Sequence, residues 1–135
     1  MPREPTGVVS ILVVDDDETV RRVLRQMLET AGYEVREASN GKLAMLEFSR
    51  QPADLLITDI FMPEQEGMET INTLRREHPS LRVIAISGVG GDQYLKMAKF
   101  LGVRATLLKP LRLGTVLEAV KATLEQSPDD PAAAA

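Results

Sequence analysis

The chain has 135 residues, no cysteine, a single histidine (His78) and a formal net charge of −4. That length fits one domain, able to bury about two-thirds of its unfolded surface without staples. The composition excludes disulfides, cysteine-ligated zinc, iron–sulfur clusters, thiol nucleophiles and a zincin motif, and the excess of acid over base argues against nucleic acid as a direct partner.

Residues 1–7 are polar and Pro-containing and read as a flexible leader. Residues 8–14 form an apolar run broken only by Ser10, the first expected strand. Asp17 is the expected N-cap of a helix whose apolar stripe is Val20, Val23, Leu24, Met27, Leu28 and Ala31, stopped by Gly32. Residues 34–38 alternate, as in a strand at the edge of a sheet. After the turn Ser39-Asn40-Gly41, residues 42–50 read as a helix with Ala44, Met45 and Phe48 inward and Leu43 and Leu46 off the stripe. Residues 55–58 form a second buried strand, and Met68, Ile71 and Leu74 mark a helix that ends before Pro79. Residues 83–86 form the next strand. Leu95, Ala98 and Leu101 mark a fourth helix stopped by Gly102, with Met97 and Phe100 off its stripe. Residues 105–108 give a fifth strand, and Leu113, Val116, Leu117, Val120 and Leu124 a fifth helix. Residues 127–135, with two prolines and no apolar face, read as a disordered tail or the start of a linker. No apolar run approaches the ~20 residues that span a bilayer, and the N-terminus lacks a signal-peptide core, so no membrane association and a cytoplasmic location are expected.

Strand–helix alternation at this spacing predicts an α/β domain over residues 8–126, a (βα)5 unit with a doubly wound five-stranded parallel sheet. The common solution of this size is flavodoxin-like, with strand order 2-1-3-4-5. Ligands of such sheets bind beyond the carboxyl ends of the strands. The first strand ends at Asp15-Asp16-Asp17, the third at Asp59, the fourth at Ser87-Gly88 and the fifth at Lys109-Pro110. Each alone fits a cap, a turn or a solvated charge. Four strand ends converging on one edge point further. Gathered carboxylates call for a hard divalent ion such as Mg²⁺, and a lysine and a hydroxyl beside it suit a phosphoryl group. A carboxylate can itself be the phosphoryl acceptor.

The pieces Ile11-Leu12-Val13-Val14-Asp15-Asp16, Leu56-Ile57-Thr58-Asp59-Ile60-Phe61-Met62-Pro63 with Gly67, Val83-Ile84-Ala85-Ile86-Ser87-Gly88 and Leu107-Leu108-Lys109-Pro110 together resemble the response-regulator receiver domain of two-component signalling. The resemblance implies that Asp59 is the phosphoacceptor, supplied by a sensor histidine kinase or a phosphotransfer protein. It implies that Asp16, Asp59 and the backbone carbonyl of Phe61 ligate Mg²⁺ (or Mn²⁺), with Asp15 acting mainly through a metal-bound water. Ser87 and Lys109 would hold phosphoryl oxygens, and the Lys109–Pro110 bond would be cis. Phosphorylation would then shift the population of the face made by the fourth helix, fifth strand and fifth helix. On this view the chain is not an enzyme toward other molecules. It catalyses its own phosphorylation and dephosphorylation and acts on an output domain or target protein, as a monomer or a phosphorylation-dependent dimer.

The chain departs from the family pattern in three places. Thr106 stands where an aromatic switch residue is usual, so Ser87, Thr106 and Tyr94 are the switch candidates. Arg112 stands where an acidic N-cap often precedes the last helix. Phe61 and Val89, two residues beyond Asp59 and Ser87, offer no polar group to orient a hydrolytic water, which implies slow phosphoryl decay. Three alternatives compete. Asp15-Asp16-Asp17-Glu18-Thr19 fits the D-x-D-x-T pattern of haloacid-dehalogenase-type phosphatases, with Asp15 as nucleophile, but no further acidic motif follows Lys109 outside the last helix. A flavin-binding module would want a hydroxyl- and Gly-rich loop where three aspartates stand. A receiver-like interaction module that takes no phosphate is the third.

Overall fold

The computed structural model describes residues 7–60, 66–88, 99 and 101–126. The described residues form five strands and four helices: β1 (Ser10–Val14), α1 (Glu18–Thr30), β2 (Glu34–Ala38), α2 (Gly41–Arg50), β3 (Leu55–Asp59), α3 (Glu66–Glu77), β4 (Arg82–Ser87), β5 (Ala105–Leu108) and α4 (Leu113–Glu125). The last of these is the fifth helix expected from the sequence. Of the fourth expected helix, Leu95 and Ala98 lie outside the described residues, as do the leader before Gly7 and the tail after Gln126.

All strand pairs are parallel and the order is β2-β1-β3-β4-β5, the doubly wound arrangement expected from the strand–helix rhythm. The period-two alternation of each strand sends successive side chains to opposite faces. Leu12, Val14, Leu56, Val83 and Ala85 pack with Ala44 and Phe48 of α2 and Ile71 and Leu74 of α3. Ile11, Val13, Leu55, Ile57, Ile84, Ile86 and Leu107 pack with Leu24 and Leu28 of α1 and Val116 and Val120 of α4. The three central strands are therefore apolar at nearly every position, as a sheet covered on both faces requires. Burial of each such aliphatic side chain stabilises the fold by roughly 1.5–3 kcal/mol.

β1 starts at Ser10, two residues later than the apolar run suggests, because pairing begins at Ser10↔Glu34. The Val9 carbonyl accepts from Glu34 N at 2.9 Å, and Val8 stays exposed. Helix ends follow local chemistry. Asp17 accepts from Thr19 N at 2.8 Å at the start of α1, and Asn40 from Leu43 N at 2.8 Å at the start of α2. Gly32, at φ 95°, turns the chain from α1 into β2, a conformation that costs glycine nothing. Arg112, the N-cap of α4, makes no side-chain cap bond, so the departure noted in the sequence leaves that helix start uncapped.

The border strand β2 carries Glu34, Arg36 and Glu37. Arg36 donates to the Glu47 carbonyl (3.1 Å), the Glu47 carboxylate (3.2 Å) and the Gln51 carbonyl. It thereby supplies the donors that the last turn of α2 lacks.

Candidate functional site

The topology delivers β1, β3, β4 and β5 to one carboxyl edge, where the apolar layers bury the polar residues of the first three and leave Lys109 of the fourth half-buried. Asp15 is fully buried, Asp59 is 4% exposed and Ser87 is fully buried. Asp15 ends the ladder, its N–H donating to the Ala38 carbonyl at 3.2 Å. Its Oδ1 then accepts from Asp17 N at 2.8 Å, closing the turn that leads into α1. Asp59 ends β3, and the chain returns so tightly into α3 that a Cβ on Gly67 would lie 2.2 Å from the Asp59 carbonyl oxygen. Only glycine permits that approach, and it holds the start of α3 against the backbone of Asp59.

The carboxylates of Asp15, Asp16 and Asp59 each place an oxygen within 4.8 Å of the others. Lys109, from the end of β5, reaches across to Asp59 Oδ2 at 2.8 Å and lies 3.2 Å from Asp15 Oδ2. Its contact with Asp15 is an ion pair rather than a well-formed hydrogen bond, so Asp15 Oδ2 is buried with the ammonium as its one ion-pair partner among the described residues. Burial, reinforced by the Asp59 charge and opposed by Asp17 N–H and by Lys109, pushes the Asp15 carboxyl up to about 6. Burial works against the Lys109 ammonium as well. The hydrogen bond to Asp59 and the charges of Asp15 and Asp59 outweigh it and raise the lysine above its ordinary value.

One ammonium against three carboxylates leaves an excess of negative charge when all are ionised. The donor set is all oxygen, and one buried oxygen has no hydrogen-bond donor. Those properties fit a hard divalent cation at Asp15, Asp16 and Asp59.

Ser87 sits at the end of β4 beside Lys109, whose N–H donates to the Ser87 carbonyl at 2.9 Å. Its hydroxyl donates to the neighbouring Gly88 carbonyl at 3.3 Å. The Lys109–Pro110 bond is cis. Thr106 is not among the carboxylates. It lines a surface groove of about 370 Å³ with Pro110, Arg112 and Thr115. Phe61, Val89 and Tyr94 lie outside the described residues. Two contributors escaped the sequence reading. Gly67 stands in the motif, but the backbone that requires a glycine there lies outside its local pattern, and Arg21, whose Nη1 donates to the Asp15 carbonyl at 2.6 Å, belongs to none of the motifs. A charged residue one turn into the first helix, matched by an acid at the end of β2, is the signal that was available.

α1 begins at Glu18, directly after the aspartates, so no flap separates the first strand from its helix as the phosphatase alternative requires.

The chain matches the family profile described as "Response regulator receiver domain" over residues 11–121. It is 32% identical over 111 residues to the chemotaxis protein CheY of Thermotoga maritima, covering 82% of this chain and 92% of that protein. It is 36% identical over 105 residues to the sensor protein EvgS of Escherichia coli, covering 78% of this chain but only 9% of EvgS. Among solved structures, the receiver domain of NtrX from Brucella abortus superposes with a TM-score of 0.83 at 27% identity, covering 87% of this chain and 99% of that one. A response regulator receiver domain protein from Clostridium thermocellum gives a TM-score of 0.81 at 28% identity, with coverage of 87% and 94%. The likeness thus takes in almost all of the chemotaxis protein and a small part of the sensor protein. The chain belongs to the response regulator receiver domain family, the signalling modules of two-component systems.

Proposed function

We propose that Asp59 is the phosphoacceptor of this receiver and that Asp15, Asp16, Ser87 and Lys109 assist the transfer. The observation that carries the reading is the Asp59 carboxylate, buried at the end of β3 and held by Lys109 at 2.8 Å within reach of two further aspartates. The donor is a phosphohistidine on a sensor histidine kinase or a phosphotransfer protein. A carboxylate oxygen of Asp59 attacks phosphorus, the P–N bond breaks, and the imidazole leaves and takes up a proton. Lys109 is poised to pair with a phosphoryl oxygen, and the Ser87 hydroxyl, held among the described residues by its neighbour's carbonyl, is poised to turn toward another.

Asp15, Asp16 and Asp59 would hold Mg²⁺ or Mn²⁺, with the Phe61 carbonyl the further ligand that the family resemblance implies, and the ion would supply positive charge to the transferred group. The transfer and the later hydrolysis of the aspartyl phosphate, which releases inorganic phosphate and restores the carboxylate, are the chain's own catalysis. The output passes to a further domain or a target protein, in the cytoplasm, with residues 127–135 serving as tail or linker.

A radiolabelled small-molecule phosphodonor tests the assignment. With Mg²⁺ the wild type takes up acid-stable, base-labile label, and Asp59→Asn takes up none. Label that persists in Asp59→Asn and disappears in Asp15→Asn overturns it in favour of the phosphatase-type nucleophile.

A further inference from the structure

We propose that Arg21 is a positioning residue for the acidic cup, aiming the Asp15–Asp16 carboxylates at a divalent ion through the backbone; the proposal rests on the metal reading above. Arg21 lies on the first turn of α1 with its side chain 14% exposed. Its guanidinium spans two elements. Nη1 donates to the Asp15 carbonyl at 2.6 Å, and Nε donates to Glu37 Oε1 at 3.1 Å at the end of β2. Glu37 is fixed in turn by Arg25, whose Nη1 donates to Oε2 at 2.9 Å. The planar fork therefore has one prong on the sheet and one on the peptide unit that joins Asp15 to Asp16.

That peptide unit decides where the Asp16 carboxylate goes. Asp15 has left the ladder by this point, so strand pairing no longer orients its carbonyl. Asp16 is exposed and makes no side-chain hydrogen bond among the described residues. Beyond the ladder, two bonds hold Asp15: Asp17 N to Asp15 Oδ1, and Arg21 to the Asp15 carbonyl, while Asp17 is tied to α1 by Thr19 N and Arg21 N. The first fixes the Asp15 side chain and the second fixes the plane of the following peptide. Without the second, the peptide can rotate and carry Asp16 away from Asp15 and Asp59. Arg21 touches neither the ion nor the acceptor, and it acts through Asp15.

Charge and geometry predict opposite outcomes, which makes the proposal testable. Arg21 is a cation near a cation site, so loss of its charge alone tightens Mg²⁺ binding. Loss of its fork weakens it. Mg²⁺ affinity of the full metal-free chain, measured by titration calorimetry, is expected to fall about tenfold in both Arg21→Lys, which keeps the charge, and Arg21→Gln, which removes it. Labelling by the phosphodonor at saturating Mg²⁺ should return close to the wild-type rate, because the acceptor is intact. Arg25→Gln loosens Glu37 without touching Asp15 and is expected to give a smaller loss, about threefold, in a chain whose Arg21 is intact. Arg21→Lys binding Mg²⁺ within twofold of wild type, or Arg21→Gln binding it more tightly, overturns the proposal while leaving the phosphoacceptor assignment standing. A wild type that binds no Mg²⁺ overturns the metal reading and this proposal with it.

Discussion

The two faces of the sheet and the Asp15 and Asp59 carboxylates at its edge are all buried, yet burial acts in opposite directions on them. On the faces, Leu56, Ile57, Phe48 and Val116 leave water at a gain, and their packing against α2, α3, α1 and α4 holds the fold. At the edge, Asp15 and Asp59 leave water at a cost, and the cost is visible in the raised Asp15 carboxyl and in its undonated oxygen. The same sheet that fixes the carboxylates in place leaves their charge only partly balanced by the Lys109 ammonium. Stability and function are therefore housed in neighbouring layers of one structure, and substitutions should separate them.

The largest separation is expected on a face. Phe48 is 1% exposed and its ring lies 4.7 Å from that of His78. Phe48→Ala should lower unfolding free energy by about 4 kcal/mol in denaturant titration, with labelling of the remaining folded molecules unchanged. Gly67→Ala stands at the junction of face and edge. Its Cβ would overlap the Asp59 carbonyl, so it should cost about 3 kcal/mol and slow labelling as well, since α3 can retreat only by moving Asp59.

The edge itself should give a gain. The folded chain holds the Asp15 proton more tightly than the unfolded one, with a carboxyl at about 6 against 3.8. Between those values the folded state binds more protons, so the Asp15 contribution to stability falls as pH rises from about 4 to about 6 and stays low above that. In metal-free protein at neutral pH, Asp15→Asn should therefore raise stability, by about 3 kcal/mol at most, and the gain should vanish at pH 4. Mg²⁺ added to wild type should close the gap by mass action. An Asp15→Asn protein no more stable than wild type at neutral pH would remove the opposition between face and edge. The smallest effect is expected at the start of α4, three residues beyond Lys109. Arg112→Asp supplies the missing cap of α4 and should add about 1 kcal/mol without altering phosphorylation.

Much of this division can be read in the amino acids. The apolar runs around Leu12, Leu56 and Ile84 reveal strands covered on both sides, and Asp59 and Ser87 end their strands while Asp15 and Lys109 directly follow theirs, so the edge comes with them. What sequence pattern cannot carry is the contact between separate elements. Nothing in the run Val8-Val9-Ser10 tells that pairing waits for Glu34 on the next strand. The need for glycine at position 67 arises from the backbone of Asp59, eight residues earlier. Arg21 differs from its exposed neighbour Arg22, which pairs with Glu18 in the ordinary helical manner, only because the chain folds Glu37 and the Asp15 carbonyl around it. Strand order likewise follows from packing rather than from periodicity.

The border strand β2 has a consequence for how copies of the chain meet. An uncovered strand is a template for another molecule's backbone, and uncontrolled addition along it leads toward fibrous aggregates. Here three of five positions are ionic, and Arg36 is already committed to the carboxyl end of α2. A second molecule approaching edge-on would have to accommodate those charges and dislodge that arginine. The polar character that makes β2 look like the weakest strand of the sheet is thus also a guard that discourages the sheet from continuing into its neighbour.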